Sequence, residues 1–230
     1  MKKIFLMMVA LGMLITASAQ QSAPKANSGK KSGVVIKDVR KSVVKLGVKA
    51  GANFASMSSY DKIDLGLKSG TSFQAGALLS ARFGKRTKAS DPGTGSFGAQ
   101  VEFLYMQNSI KNDYADPIKL NYFAAPILGK WYFLPNFNVE AGVCIATMLS
   151  SSPDMIEVTQ GGLDLAKIPT GKFKGFDFRP TVGLAYTVGN TGLGLGARYY
   201  FGTSDLAKDF PCKVNTIEAS VSYSFDLFKF

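Results

Sequence analysis

Histidine is absent from all 230 residues, cysteine occurs twice and tryptophan once. Without histidine there is no Ser-His-Asp triad, no histidine-based acyl transfer and none of the usual zinc sites. An envelope enzyme acting on lipid through histidine is therefore the weakest functional reading. Paired carboxylates could still perform acid–base work, but no catalytic residue, cofactor or metal site is expected. Beyond residue 19 the chain also lacks any apolar run of about eighteen residues, which excludes a helical membrane protein.

The N-terminus differs from the rest. Lys2 and Lys3 precede an apolar run over residues 4–15, and Ala17, Ser18 and Ala19 form a small-residue cleavage site. This three-part pattern predicts a signal peptide over residues 1–19, cut after Ala19, and the run is too short for a stable spanning anchor. Residues 20–44 are rich in Ser, Lys and Gly and carry Lys25, Lys30, Lys31, Lys37, Arg40 and Lys41, part of a formal net charge of +11. They read as a flexible basic periplasmic tail. Such a tail resembles a nucleic-acid arm, but an exported protein rarely meets nucleic acid. Solvation, or contact with anionic lipid or cell wall, fits better.

From residue 45 onward, eight segments alternate apolar and polar with period two, the mark of β-strands. In the first, Leu46, Val48, Ala50, Ala52 and Phe54 oppose Lys45, Gly47, Lys49, Gly51 and Asn53; in the last, Ile217, Ala219, Val221, Tyr223 and Phe225 oppose Thr216, Glu218, Ser220, Ser222 and Ser224. The apolar faces between them run through Phe73–Phe83, Phe97–Tyr105, Phe123–Trp131, Phe137–Ile145, Phe176–Tyr186 and Leu193–Phe201. None of the eight apolar faces carries a charge. Each is about the ten residues that a tilted strand needs to cross a bilayer. Short links at Leu134, Pro135 and Asn136 and at Gly189, Asn190 and Thr191 alternate with long ones near residues 57–70, 107–118, 150–174 and 203–213. Short periplasmic turns and long outside loops are the habit of outer-membrane barrels; the link over residues 84–95 is longer than that habit. The expectation is an all-β, eight-stranded antiparallel transmembrane up-and-down barrel over residues 45–230, in the outer membrane of a Gram-negative cell.

A soluble barrel of the lipocalin kind also alternates. Three features weigh against it: the polar faces are crowded with Gly, Ser and Ala, aromatics gather at both strand ends, and the chain ends on Phe230. One rim would hold Phe54, Phe73, Tyr105, Phe123, Phe178 and Phe201, the other Phe83, Phe97, Trp131, Phe133, Phe137 and Tyr186. Two prolines strain the scheme, since a closed barrel has no free edge. Pro180 lies near a rim, while Pro126 is nearer mid-strand and predicts a bulge and a possible swap of facing in the fourth strand.

Four stretches carry a family resemblance: Leu46 to Asn53, Tyr122 to Leu128, Phe176-Asp177-Phe178 with Val182-Gly183-Leu184, and Arg198 to Gly202 with Val221 to Phe225. With them the chain resembles the outer-membrane β-barrel proteins of Bacteroidetes, the PorT-type group. Ala124 stands where that pattern usually has Glu, and residues 226–230 run past the Tyr223-Ser224-Phe225 ending, so that Phe230 would act from a short tail. The resemblance implies fold and location, and for a minority of members a role in protein secretion or envelope maintenance. The barrel-assembly machinery would read Tyr223, Phe225 and Phe230.

Eight charged side chains on the polar faces would point inward: Lys49, Arg82, Glu102, Glu140, Asp177, Arg179, Arg198 and Glu218. Eight strands leave an interior filled by side chains, and charges buried there must be paired. They predict a structural salt-bridge network, with catalysis or proton conduction a lesser alternative, and they argue against a diffusive porin. Residues 93–98 fit G-x-G-x-x-G but lead into a strand rather than a helix, so dinucleotide binding is not expected. Cys144 would face the lumen and Cys212 lies in the last outside loop; the two need not meet. The loop over residues 150–174, with Met155, Ile156, Val158, Leu163, Leu165 and Ile168, either packs on itself or forms a protein or glycan contact surface. The function expected is non-enzymatic: envelope integrity or surface interaction, the alternative being an accessory role in secretion. The partners expected are outer-membrane lipids, the assembly machinery and a surface or secretion-system protein.

Overall fold

The computed structural model describes residues 42–57, 67–83, 96–112, 117–153, 155–160, 163–169, 175–205 and 213–229. The cleavage site at Ala19, residues 20–41 of the expected tail, Cys212 and Phe230 lie outside them, while Val43 and Val44, expected in the tail, open the first strand. The strands are β1 (Val43–Met57), β2 (Leu67–Phe83), β3 (Ser96–Asn112), β4 (Ile118–Tyr132), β5 (Phe137–Ser152), β6 (Met155–Gln160), β7 (Leu163–Pro169), β8 (Phe176–Thr187), β9 (Leu193–Tyr200) and β10 (Val214–Lys229). Eight of them close a barrel in the order β1-β10-β9-β8-β5-β4-β3-β2, every neighbouring pair antiparallel; β6 and β7 form a separate two-stranded sheet within the long loop. The eight alternating segments of the sequence are therefore β1–β5 and β8–β10.

The faces follow the alternation. Val48 is 62% exposed beside Lys49 at 5%, and Phe178 is 42% exposed beside Arg179 at 0%. A continuous apolar exterior results, bounded by two aromatic rings. Trp131, Phe133, Phe137 and Tyr186 touch in sequence at the short-turn end, with centroids 6.1, 5.6 and 5.5 Å apart. Phe73 and Tyr105 stand 5.8 Å apart at the other. Tight turns join β4 to β5 and β8 to β9; in the second, Gly189 and Gly192 take φ of 51° and 83°, which a side chain would resist.

The strands of 15–17 residues exceed the roughly 9–11 a bilayer crossing requires. At the long-loop end the barrel turns inside out. Outward positions become polar (Ser56, Lys111, Lys119, Asn121), while the inward Leu104, Met106, Ile110, Ile118, Leu120 and Tyr122 are buried in one apolar cluster. Water outside in place of hydrocarbon reverses which face is polar. Asn53, Gln74, Asn108 and Thr216 are buried beside this cluster, so the inward face mixes polar and apolar side chains here.

Neither proline disturbs the facing. Pro126 pairs in register with Cys144, and Phe123 and Trp131 on either side stay exposed. On its other side the ladder omits two pairs and resumes unshifted between Val101↔Ile127 and Leu104↔Ala124. The register shift of the β4–β5 seam lies at Asn121/Tyr122 instead, with Leu149 of β5 as the extra residue, so the expected swap around Pro126 does not occur. Pro180 sits just past the last β8–β9 pair, its carbonyl accepting the Phe201 N–H at 2.9 Å. Residues 226–229 are not a tail: Lys45↔Asp226, Val44↔Phe228 and Val43↔Lys229 extend the closing seam, with a bulge at Leu227. The former G-x-G-x-x-G stretch enters the strand β3 at Ser96.

The exterior makes a contrast that can be measured. Val182→Arg, within the apolar band, is expected to cost about 2–4 kcal/mol, whereas Ser56→Arg, outward but beyond the aromatic ring, is expected to cost no more than about 0.5 kcal/mol. Urea unfolding of the barrel reconstituted in bilayers reads both; equal costs would place the boundary wrongly.

Candidate functional site: the barrel lumen

One row of inward positions runs straight across five strands. Glu218 of β10 lies opposite Arg198 of β9, Arg198 opposite Gly183 of β8, Gly183 opposite Glu140 of β5, and Glu140 opposite Lys130 of β4. Facing neighbours on one side of a sheet are within reach of each other, so charge alternates along the row with a gap at Gly183. That gap lets Arg198 reach two strands away: its Nε donates to Glu140 Oε2 at 2.6 Å. A Cβ at position 183 would meet Arg198 Cγ at 2.6 Å and the Ala197 carbonyl at 2.7 Å. Glycine is required there by close approach.

Two side chains from the opposite wall complete the cluster. Glu102 of β3, half a turn of the barrel from β9, accepts from Arg198 Nη1 at 2.8 Å and pairs with Nη2 at 2.7 Å, so the forked pair spans the lumen. Lys49 Nζ stands 3.1 Å from Glu102 and 2.5 Å from Glu218. Lys130 Nζ pairs with Glu140 at 2.8 Å and donates to Gln100 Oε1 at 2.6 Å, while the Gln100 amide donates to Glu102. Tyr200 Oη donates to Glu218 at 2.5 Å. Three cations (Lys49, Lys130, Arg198) thus meet three carboxylates (Glu102, Glu140, Glu218), all at 9% side-chain exposure or less.

The remaining expected charges lie elsewhere. Arg179 Nε donates to Asp177 at 2.6 Å and its guanidinium stacks 4.7 Å from the Tyr122 ring, a separate pair nearer the long-loop end. Arg82 guards the opposite end: Nε donates to Ser96 Oγ and Nη1 to the Pro135 carbonyl, each at 2.9 Å, and it lies 3.9 Å over Tyr132. Cys144 is a buried free thiol facing inward, opposite Arg179. Lys130, Gln100 and Tyr200 were not expected. Their inward parity was readable, but Lys130 shares its strand face with Ala124, Pro126 and Leu128, which gave no polar signal.

The lumen is therefore layered. The apolar cluster, with Asn53, Gln74, Asn108, Thr216 and the Arg179–Asp177 pair buried beside it, occupies the long-loop end, the charge network fills the middle, and a cavity of 930 Å³ opens toward the short turns, its walls small on the side that carries Gly194, Gly196, Ser220, Ser222 and Ser224. Among the described residues no group of three or more Cys, Asp and Glu side chains could hold a metal ion. Chemically the network holds opposite charges in fixed geometry, with Lys49, Lys130, Glu140 and Arg198 bordering the cavity and Glu102 and Glu218 behind them.

A family model described as an outer membrane protein beta-barrel domain matches residues 19–208. Similar solved structures include Ail, the attachment invasion locus protein of Yersinia pestis, in complex with the heparin analogue sucrose octasulfate, at 13% identity over 80% of this chain and 99% of that one, TM-score 0.40. Neisserial surface protein A aligns at 18% identity over 78% and 97%, TM-score 0.41. OprG from Pseudomonas aeruginosa aligns at 9% over 82% and 97%, TM-score 0.35. No curated protein matches the chain.

Removing one partner from a buried pair leaves a bare charge, so Arg198→Ala is expected to destabilise the barrel by about 3–5 kcal/mol. Gly183→Ala deletes no charge but pushes Arg198 off its row and is expected to cost about 1–3 kcal/mol. Unfolding in urea checks both; a neutral Gly183→Ala would show that the gap is not needed.

Proposed function

We propose a role that starts from one premise: the chain belongs to the outer membrane protein beta-barrel family and is an outer-membrane protein. On that premise it is a non-enzymatic, non-conducting barrel, exported through a signal peptide cut after Ala19, whose service is to envelope integrity or to a contact made at the cell surface. The observation that carries this reading is the filled lumen. Among the described residues, a balanced charge network and an apolar layer stacked on it occupy the middle and the long-loop end of the lumen, and the network's three carboxylates are each held by a cation. In this reading Lys49, Glu102, Glu140, Arg198 and Glu218 are structural, as are Asp177, Arg179 and Arg82, and the exterior faces lipid. What remains to act is the set of long loops, above all residues 150–174, where β6 and β7 supply a hairpin of their own. Tyr223 and Phe225, outward on the closing strand, offer the assembly machinery its contact together with Phe230.

A second reading, accessory work in a PorT-like protein secretion system, is favoured by the four stretches of sequence resemblance. Deletion of the gene separates the two: the first predicts detergent sensitivity with normal export, the second a loss of secreted proteins from the medium.

Orientation is tested independently. Single cysteines placed at residue 135 and at residue 160 of a cysteine-free variant are expected to differ on intact cells, with an impermeant maleimide labelling only position 160. Labelling of position 135 alone would invert the barrel. For assembly, removing residues 226–230 is expected to lower the outer-membrane amount and, because residues 226–229 pair with β1, to lower the temperature of heat-modified gel mobility as well; unchanged levels would leave the signal to Tyr223 and Phe225.

A further inference from the structure

We propose that the cavity at the short-turn end is a binding site for a small solute bearing an oxyanion group, carboxylate or phosphate. Its 930 Å³ lies within the roughly 300–1,000 Å³ typical of ligand pockets. The charges are arranged in depth. Glu102 and Glu218, which balance Lys49 and Arg198, are fully buried and form no part of the cavity wall, whereas the two cations do, together with Lys45, Arg82 and Lys130. The wall carries two carboxylates, and both are taken: Glu140 by Lys130 and Arg198, Asp226 by Lys45 at 3.4 Å. The wall thus carries five cations against two carboxylates, with the compensating Glu102 and Glu218 lying behind Lys49 and Arg198. The surrounding barrel wall, backed by an apolar exterior, focuses that field into the cavity.

Neutral donors point the same way. Ser80, Ser222 and Ser224 line the walls, and the inward glycines Gly194 and Gly196 leave the room in which a ligand would sit. Hydroxyl and ammonium groups bordering a space in which polar surface predominates suit an oxyanion better than an apolar molecule. With the orientation proposed above the solute comes from the periplasm, but binding by the purified barrel does not depend on that orientation.

The test is titration of the full barrel, folded in octyl glucoside, followed through backbone amide shifts. The probes are sodium phosphate and N-acetyl-alanyl-alanine as free oxyanions, dihexanoyl phosphatidylglycerol as a lipid headgroup, and sodium chloride at matched ionic strength. The expected result is saturable shifts confined to the short turns and to the cavity-lining ends of the strands, absent with chloride. Ser222→Phe fills the cavity without touching a charge and is expected to abolish them. Lys45→Gln, at the mouth, is expected to weaken binding several-fold, and heat-modified gel mobility confirms that both variants are folded. Saturation by phosphatidylglycerol alone would support the oxyanion site and assign it to a headgroup. Shifts that fail to saturate, that chloride reproduces, or that persist in Ser222→Phe would overturn the proposal.

Discussion

An arginine inside a narrow barrel is nearly cut off from solvent and cannot be neutralised, so its position constrains what surrounds it. Arg198 is 5% exposed and makes its ion pairs with Glu140 and Glu102, which come from strands two and four places away around the ring. Desolvating such a charge costs several kcal/mol unless the pairing geometry is excellent and the remaining protons are satisfied. The closed register supplies that geometry: one row places Glu218, Arg198, Gly183, Glu140 and Lys130 side by side. A slip of one residue in any seam would turn an inward charge into the lipid. The network therefore acts on register as well as on stability.

The layers on either side follow from the surroundings of each section of barrel. Where hydrocarbon surrounds the wall, apolar residues face out and charges face in. Past the ring of Phe73, Tyr105 and Phe123, water surrounds it, and the polarity of the two faces is reversed so that Met106, Ile110 and Leu120 pack inward. Toward the short turns the inward residues shrink to Gly and Ser, and the lumen opens. A single eight-stranded wall thus holds an apolar core, an ionic middle and a polar vestibule in series.

Much of this was legible in the sequence because period two is a local property. Alternation located all eight barrel strands, their facing and the inward charges from Lys49 to Glu218. What stayed hidden depends on register or on the medium. Lys130 sits among apolar inward neighbours, and only its place opposite Glu140 gives it a role. Gly183 resembles any small lumen residue until Arg198 crosses over it. The reversal at the long-loop end reads as lost amphipathicity unless the membrane boundary is known. Pro126 misled because a missing donor was expected to bend the strand, whereas the ladder omits two pairs and keeps its register. Residues 226–229 have no alternation to announce them, since the bulge at Leu227 breaks the period.

The central claim is that Glu140 and Arg198 hold each other across the lumen, and a double-mutant cycle measures that directly. Unfolding free energies of the wild type, Glu140→Gln, Arg198→Met and the double variant, all in the same bilayer, give the coupling. The account predicts that the double variant is more stable than the sum of the single losses allows, by about 1–3 kcal/mol, the range of directly interacting pairs. Additive losses would contradict it, because each charge would then be satisfied without the other.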